Sequence, residues 1–125
     1  MSRVVTVLSV VVLGGVVGTA LRFGAAELAD ARSWPTAVVL LVVNSLGAFT
    51  LGWFVEWRSS RDIAELVAAA VSAGVLASFT TFSGVMVEAA ELARSQRVVP
   101  AVGLLGASLG IGWACALAGR RLGSR

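Results

Sequence analysis

Asn44, Phe79, Thr80, Thr81, Phe82 and Ser83 all lie inside apolar runs, and none of them is ionisable. An amide carries two N–H donors, a hydroxyl carries one, and the edge of an aromatic ring is weakly positive. Such a set offers an anion many weak contacts and no strong one. That is the chemistry of passage. A deeply buried Arg would hold an anion too firmly, whereas conduction needs sites the ion can leave. Each residue also has an ordinary role. Asn44 suits an interhelical hydrogen bond worth about 0.6–2 kcal/mol. The two Phe rings suit core or lipid contacts, and being three apart they share one helix face. Gly47 and Ala48 share the face of Asn44, so a neighbour can approach the amide.

Bond-making chemistry has little to use. The chain has no His, and its single Cys, Cys115, sits in an apolar run where packing is its expected role. There is no Cys/His cluster with zinc spacing, no phosphate loop and no Ser/His/Asp set, so the chain does not read as an enzyme. Ten Arg against seven acids leave a net charge of +3, with no Lys. The Arg residues stand in ones and twos at the ends of apolar runs. They read as interfacial anchors and topology signals, not as a nucleic-acid surface.

The elements that position these groups are membrane spans. Of 125 residues, 58% are hydrophobic and 14% charged, where a soluble domain carries about 25% charged residues. A spanning helix takes about 20 mostly apolar residues. Four such runs occur, at about 4–23, 36–55, 63–90 and 98–118, and they leave only short connections in a single membrane domain, 1–125. The first run is too long for a signal-peptide core. Four spans place both termini on one side, together with Arg3, Arg58, Arg61, Arg120, Arg121 and Arg125. Arg32, Arg94 and Arg97 fall on the other side, which favours cytoplasmic termini. Within the third run, Ser78 to Gly84 is rich in residues that hold a helix poorly. A broken helix there is expected, and breaks of this kind often mark ion or substrate sites.

Small residues recur at helix-packing spacing: Gly14 with Gly18, Gly106 with Gly110, and Ser108 with Gly112. They suit contacts within a bundle or between subunits. Four short helices cannot easily surround a pore and still pack, so a conduit needs a second subunit. Glu88 is an intramembrane acid near the end of its run, where function and snorkelling to the interface compete. Arg22 ends the first run as an interface anchor.

Three segments together resemble the Fluc/CrcB fluoride channels. Gly14-Gly15-Val16-Val17-Gly18-Thr19-Ala20-Leu21-Arg22-Phe23 is similar to their first-span signature. Val43-Asn44-Ser45-Leu46-Gly47-Ala48-Phe49 is similar to their second-span asparagine motif. Thr80-Thr81-Phe82-Ser83, with Glu88 beyond, is similar to their third-span signature. The resemblance covers nearly the whole chain. It implies an all-α membrane protein of four spans, the third broken, assembled as an antiparallel dual-topology dimer in the cell (inner or plasma) membrane. It further implies passive fluoride export along pathways lined by Asn44, Phe82, Ser83 and Ser108. Arg22 and Glu88 would stand in the vestibules, and the backbone carbonyls of Ala77 and Thr80 would hold a structural sodium ion shared by the subunits.

The chain departs from that pattern at several places. Gly84 and Val85 stand where the family commonly has Thr and a second Phe, Ala77 stands for a Gly, and Leu104 for a Tyr. The missing ring and the Arg bias suit one subunit of a heterodimer, so a homodimer and a heterodimer are both expectations. Two alternatives remain. A small four-helix multidrug transporter needs an acid deep in the first span, and Val4 to Phe23 has none. A non-conducting partner subunit would need no polar face.

Overall fold

The computed structural model describes residues 2–125. Its helices are α1 (Arg3–Asp30), α2 (Thr36–Ser59), α3 (Glu65–Ala69), a π-helical stretch (Ala70–Leu76), α4 (Ala77–Phe79), α5 (Phe82–Arg94) and α6 (Val98–Gly123). Four continuous or near-continuous helical segments are long and apolar enough to cross a membrane: α1, α2, Glu65–Arg94 and α6. The protein is a multi-pass membrane protein. At 1.5 Å per residue even the 24-residue α2 reaches about 36 Å, beyond the hydrocarbon thickness of about 30 Å. The helices therefore outrun the expected spans. Past Phe23, Val55, Ala90 and Ala118 they continue as polar turns such as Glu27–Asp30 and Glu91–Arg94. Hydropathy marks where lipid ends, not where the helix ends.

Exposure follows from lipid as solvent. Val4, Leu8, Val12, Leu13 and Val16 on α1 are all more than half exposed, while no polar or charged residue is buried among the described residues. The buried core is small: Val85, Ala89, Ala101 and Leu104, flanked by Leu40, Leu41 and Leu92. Without a hydrophobic drive between helices, close backbone approach must hold the bundle. Glycine supplies it. A Cβ on Gly14 or Gly18 would run into the carbonyls of Ala70 and Val75 on the third span. A Cβ on Gly52, Gly119 or Gly123 would do the same between α2 and α6. The Gly14 and Gly18 pair thus works inside the subunit. Gly106 and Gly110, one turn apart, meet nothing within 4 Å and leave one face of α6 open, while Gly112, equally uncrowded, lines the groove.

The side that carries the termini is rich in anchors. Trp53 and Trp57 stack with centroids 5.4 Å apart, Arg61 lies 4.6 Å over Trp57, and Arg120 pairs with Glu56 at 3.2 Å. Arg3 pairs with Glu65 across α1 and α3. Such amphipathic side chains sit at membrane–water boundaries. On the other side, Ser33 and Gln96 take left-handed backbone (φ 55° and 59°). This lets Trp34 and Arg97 donate back to the carbonyls of Ala29 and Leu92 and close the ends of α1 and α5.

The third span breaks over a shorter stretch than the sequence suggests. Only Thr80 and Thr81 leave the helix, and Phe82 to Gly84 already belong to α5. Thr81 caps α5, its Oγ1 accepting the Gly84 N–H at 3.1 Å, and this returns Ser83 and Gly84 to helix. The π-helical stretch before the break has no counterpart in the sequence expectation. It lies where Gly14 and Gly18 press on the third span.

Packing through glycine makes a direct prediction. Gly18→Val should destabilise the detergent-solubilised protein by about 1–3 kcal/mol, because the obstacle is backbone. Gly24→Ala, with nothing within 4 Å, should be neutral or gain up to about 1 kcal/mol. Thermal denaturation of the two variants checks the difference.

Candidate ion-conduction site

A groove of about 480 Å³ runs between α2, the third span and α6. The broken helix opens into it, and one side chain organises that break. The Nδ2 of Asn44 donates to the carbonyl of Thr81 at 2.9 Å, and its Oδ1 accepts the Thr81 N–H at 2.8 Å. The amide behaves as a peptide group from a neighbouring strand, satisfying both backbone groups of an extended residue (φ −147°, ψ 117°). Gly47, one turn away, is buried, and a Cβ there would overlap the Thr80 side chain. Only glycine lets the broken segment come within reach of the amide.

Two consequences follow. In a continuous helix the Thr81 N–H would bond the Ala77 carbonyl. Asn44 takes that donor, so the Ala77 carbonyl keeps only a long 3.5 Å contact from Thr80 Oγ1. Thr80 is itself extended (φ −79°, ψ 155°) and turns its carbonyl out of the helical direction. Carbonyls at Ala77 and Thr80 are thus free to meet a cation. On the far side of the break, α5 begins with N–H groups that have no intrahelical partner. The positive end of its dipole points into the gap, an arrangement favourable to an anion.

The donors near the break are neutral and partly uncommitted. Asn44 spends one of its two N–H groups on Thr81, leaving the second. The hydroxyls of Thr81 and Ser83 lie 3.2 Å apart, and a bond between them uses one proton of the two. Ser108 lines the groove from α6, with its Oγ buried and unpartnered. An unmet buried hydroxyl costs about 1–3 kcal/mol, so it is ready for a ligand. Thr80 is committed, since its Oγ1 bonds back to the Leu76 carbonyl at 3.1 Å. Phe82 lines the groove at 67% exposure, its ring lying at an open wall.

The structure gathers Asn44, Ala77, Thr80, Phe82 and Ser108 around one groove. Ser83 does not line it; its hydroxyl reaches the groove residues only through Thr81. Arg22 and Glu88 are half-buried outside the walls, and neither joins an ion pair among the described residues. The Arg22 Nε is buried without a partner. Phe79 does not enter the groove; it packs near Gly47 and supplies no second ring. Val85, in the place of that ring, is 1% exposed in the core and presents hydrocarbon to the groove. Ser72 also lines the groove, a placement the sequence does not signal, because α-helical spacing turns it about 80° from the line of Thr80.

The family model described as "CrcB-like protein, Camphor Resistance (CrcB)" matches residues 9–120. The chain belongs to the CrcB family. Its relatives include a protein of Oceanobacillus iheyensis named fluoride-specific ion channel FluC, 31% identical over 115 residues, covering 90% of this chain and 88% of the relative. Two further relatives are proteins of Rhodococcus jostii. Fluoride-specific ion channel FluC 2 is 36% identical over 115 residues (91% and 96% of the two chains), and FluC 1 is 37% identical over 81 residues (65% and 59%). Family membership covers all four spans, including the groove-lining segments of α2, the break and α6.

Asn44→Leu keeps the volume and removes both bonds to Thr81. It should destabilise the protein by about 2–5 kcal/mol, because two backbone groups in an apolar setting lose their partners. Hydrogen exchange at the Thr81 amide should rise in step. Asn44→Asp retains an acceptor for the Thr81 N–H and should protect that amide better than Leu does.

Proposed function

We propose that this chain is a subunit of a fluoride-selective channel that lowers cytoplasmic fluoride by passive export across the cell membrane. The supporting observation is the groove itself: uncommitted neutral donors converge on a broken helix, and no Arg side chain lines the walls. The names of the relatives agree with this reading. Fluoride is small and holds water tightly, so it enters only where donors replace that water. Asn44 offers its second amide N–H, Ser108 its unpartnered hydroxyl, and Phe82 its ring edge. Ser83 acts with Thr81 as a hydroxyl pair that can turn one proton to the ion. Each contact is weak, so the ion can leave. No bond is made or broken, and the gradient drives the flow. Arg22 and Glu88 are proposed to stand at the vestibules, where their charges bias ion entry.

The groove is open along Phe82 and Leu109, 67% and 68% exposed. A second subunit closes it in this reading. The bare glycine face of α6 allows close approach. The partner is antiparallel, so both subunits present the same broken helix. The Arg bias toward the terminus-bearing side favours one orientation for this chain, and a heterodimer with an oppositely biased relative fits that better than a homodimer. The pair of names FluC 1 and FluC 2 in one organism points the same way. A structural sodium ion between the subunits would be held by the Ala77 and Thr80 carbonyls. It would supply positive potential beside the anion lane.

Efflux of fluoride from loaded liposomes tests the reading, with this chain alone and co-reconstituted with a second CrcB chain. Fluoride should leave in at least one preparation, and retention in both would contradict the proposal. Phe82→Leu should slow efflux by about two- to tenfold, matching a lost ring contact of about 0.5–1.5 kcal/mol.

A further inference from the structure

The groove continues past the break toward the side that carries both termini. There its walls are Leu51, Leu76, Ala77 and Gly112, which offer no side-chain donor. Ser72 lines the same groove, is half-buried, and brings the one hydroxyl to that end. It lies eight residues before Thr80, about 12 Å along a helix axis.

Its direction is a product of the π-helical stretch. At 3.6 residues per turn, Ser72 would point about 80° away from the line of Thr80, and Ala73 would lie closer to it. The Ala70–Leu76 segment is wound with an extra residue per turn. Ser72 then faces the groove and Ala73 does not line it. Gly14 and Gly18 lie against the backbone of that stretch at Ala70, Gly74 and Val75. The hydroxyl now donates to the Ala68 carbonyl at 2.6 Å. Such a back-bond contributes little net free energy, and exchanging it for a bond to an anion is close to neutral.

We propose that Ser72 is a further ion-contacting residue, the donor at the terminus-side mouth of the fluoride lane. An ion that has left Asn44 and Ser108 meets hydrocarbon walls until it reaches this hydroxyl, where water can rejoin it. The inference rests on the channel reading above and extends it to a residue outside the family-like motifs.

Ser72→Val and Ser72→Thr have the same shape and differ by the hydroxyl. In the preparation that conducts fluoride, Ser72→Val should lower efflux about five- to tenfold, the net weight of one hydroxyl contact after its exchange with water and the Ala68 carbonyl. Ser72→Thr should stay within about twofold of the parent, well inside that weight. Parent-like efflux from Ser72→Val removes Ser72 from the lane and leaves the channel reading intact. Equal losses from Val and Thr would assign Ser72 to packing and overturn the inference. If both β-branched variants fail to assemble, Ser72→Ala carries the comparison. It should show the same five- to tenfold loss, and full efflux overturns the inference. A parent protein that releases no fluoride in any preparation defeats both readings together.

Discussion

The paired hydrogen bonds between the Asn44 amide and the Thr81 backbone are the constraint on which the site depends. A helix interrupted inside a bilayer leaves N–H and C=O groups that lipid cannot satisfy. One side chain with a donor and an acceptor meets that need at a single residue. In doing so it takes the N–H that belonged to the Ala77 carbonyl. The same two bonds that make the break tolerable therefore also make it useful. They leave carbonyls on one side of the gap and a helix N-terminus on the other. Gly47 and the Thr81 cap on α5 serve the same end, one by admitting Thr80 and the other by limiting the break to two residues.

Around that point the protein is built from small side chains. Glycines 14 and 18 bring α1 against the third span, and glycines 52, 119 and 123 bring α2 against α6. Backbones pack directly because lipid gives apolar helices no reason to prefer each other. The compact bundle that results has a core of few large side chains. Its apolar outer faces meet lipid, and the groove and the glycine face of α6 are the surfaces that admit another backbone. A lane of weak neutral donors on such a surface differs in kind from a charged binding site. It trades affinity for release, and it requires another surface to exclude lipid and water.

Much of this was legible in the residues. Four spans follow from hydropathy, and the weak point in the third follows from Ser78, Thr80, Thr81, Ser83 and Gly84. The helix ends were not legible, because the polar turns near Asp30, Arg94 and Arg121 continue the helices into the headgroup region. The break is shorter than the run Ser78 to Gly84 suggests, since a threonine that weakens a helix also caps the next one. Asn44 stands out in the sequence as an amide inside an apolar run, but its pair of hydrogen bonds to Thr81 depends on the level at which α2 meets the third span. The resemblance puts Ser83 on the lane, and in the fold its hydroxyl lies 3.2 Å from that of Thr81, outside the groove-lining set. Ser72 and the π winding were hidden altogether. The winding lies against Gly14 and Gly18, some 60 residues away in sequence, and no local pattern records such a contact.

The central claim is that neutral, individually weak donors select a small, tightly hydrated anion and let it pass. Reversal potentials across a planar bilayer, with fluoride on one side and chloride on the other, test it most directly in the preparation that conducts. The account predicts a current carried by fluoride, with a reversal potential set by the fluoride gradient and indifferent to chloride. A current that follows chloride equally well would contradict it.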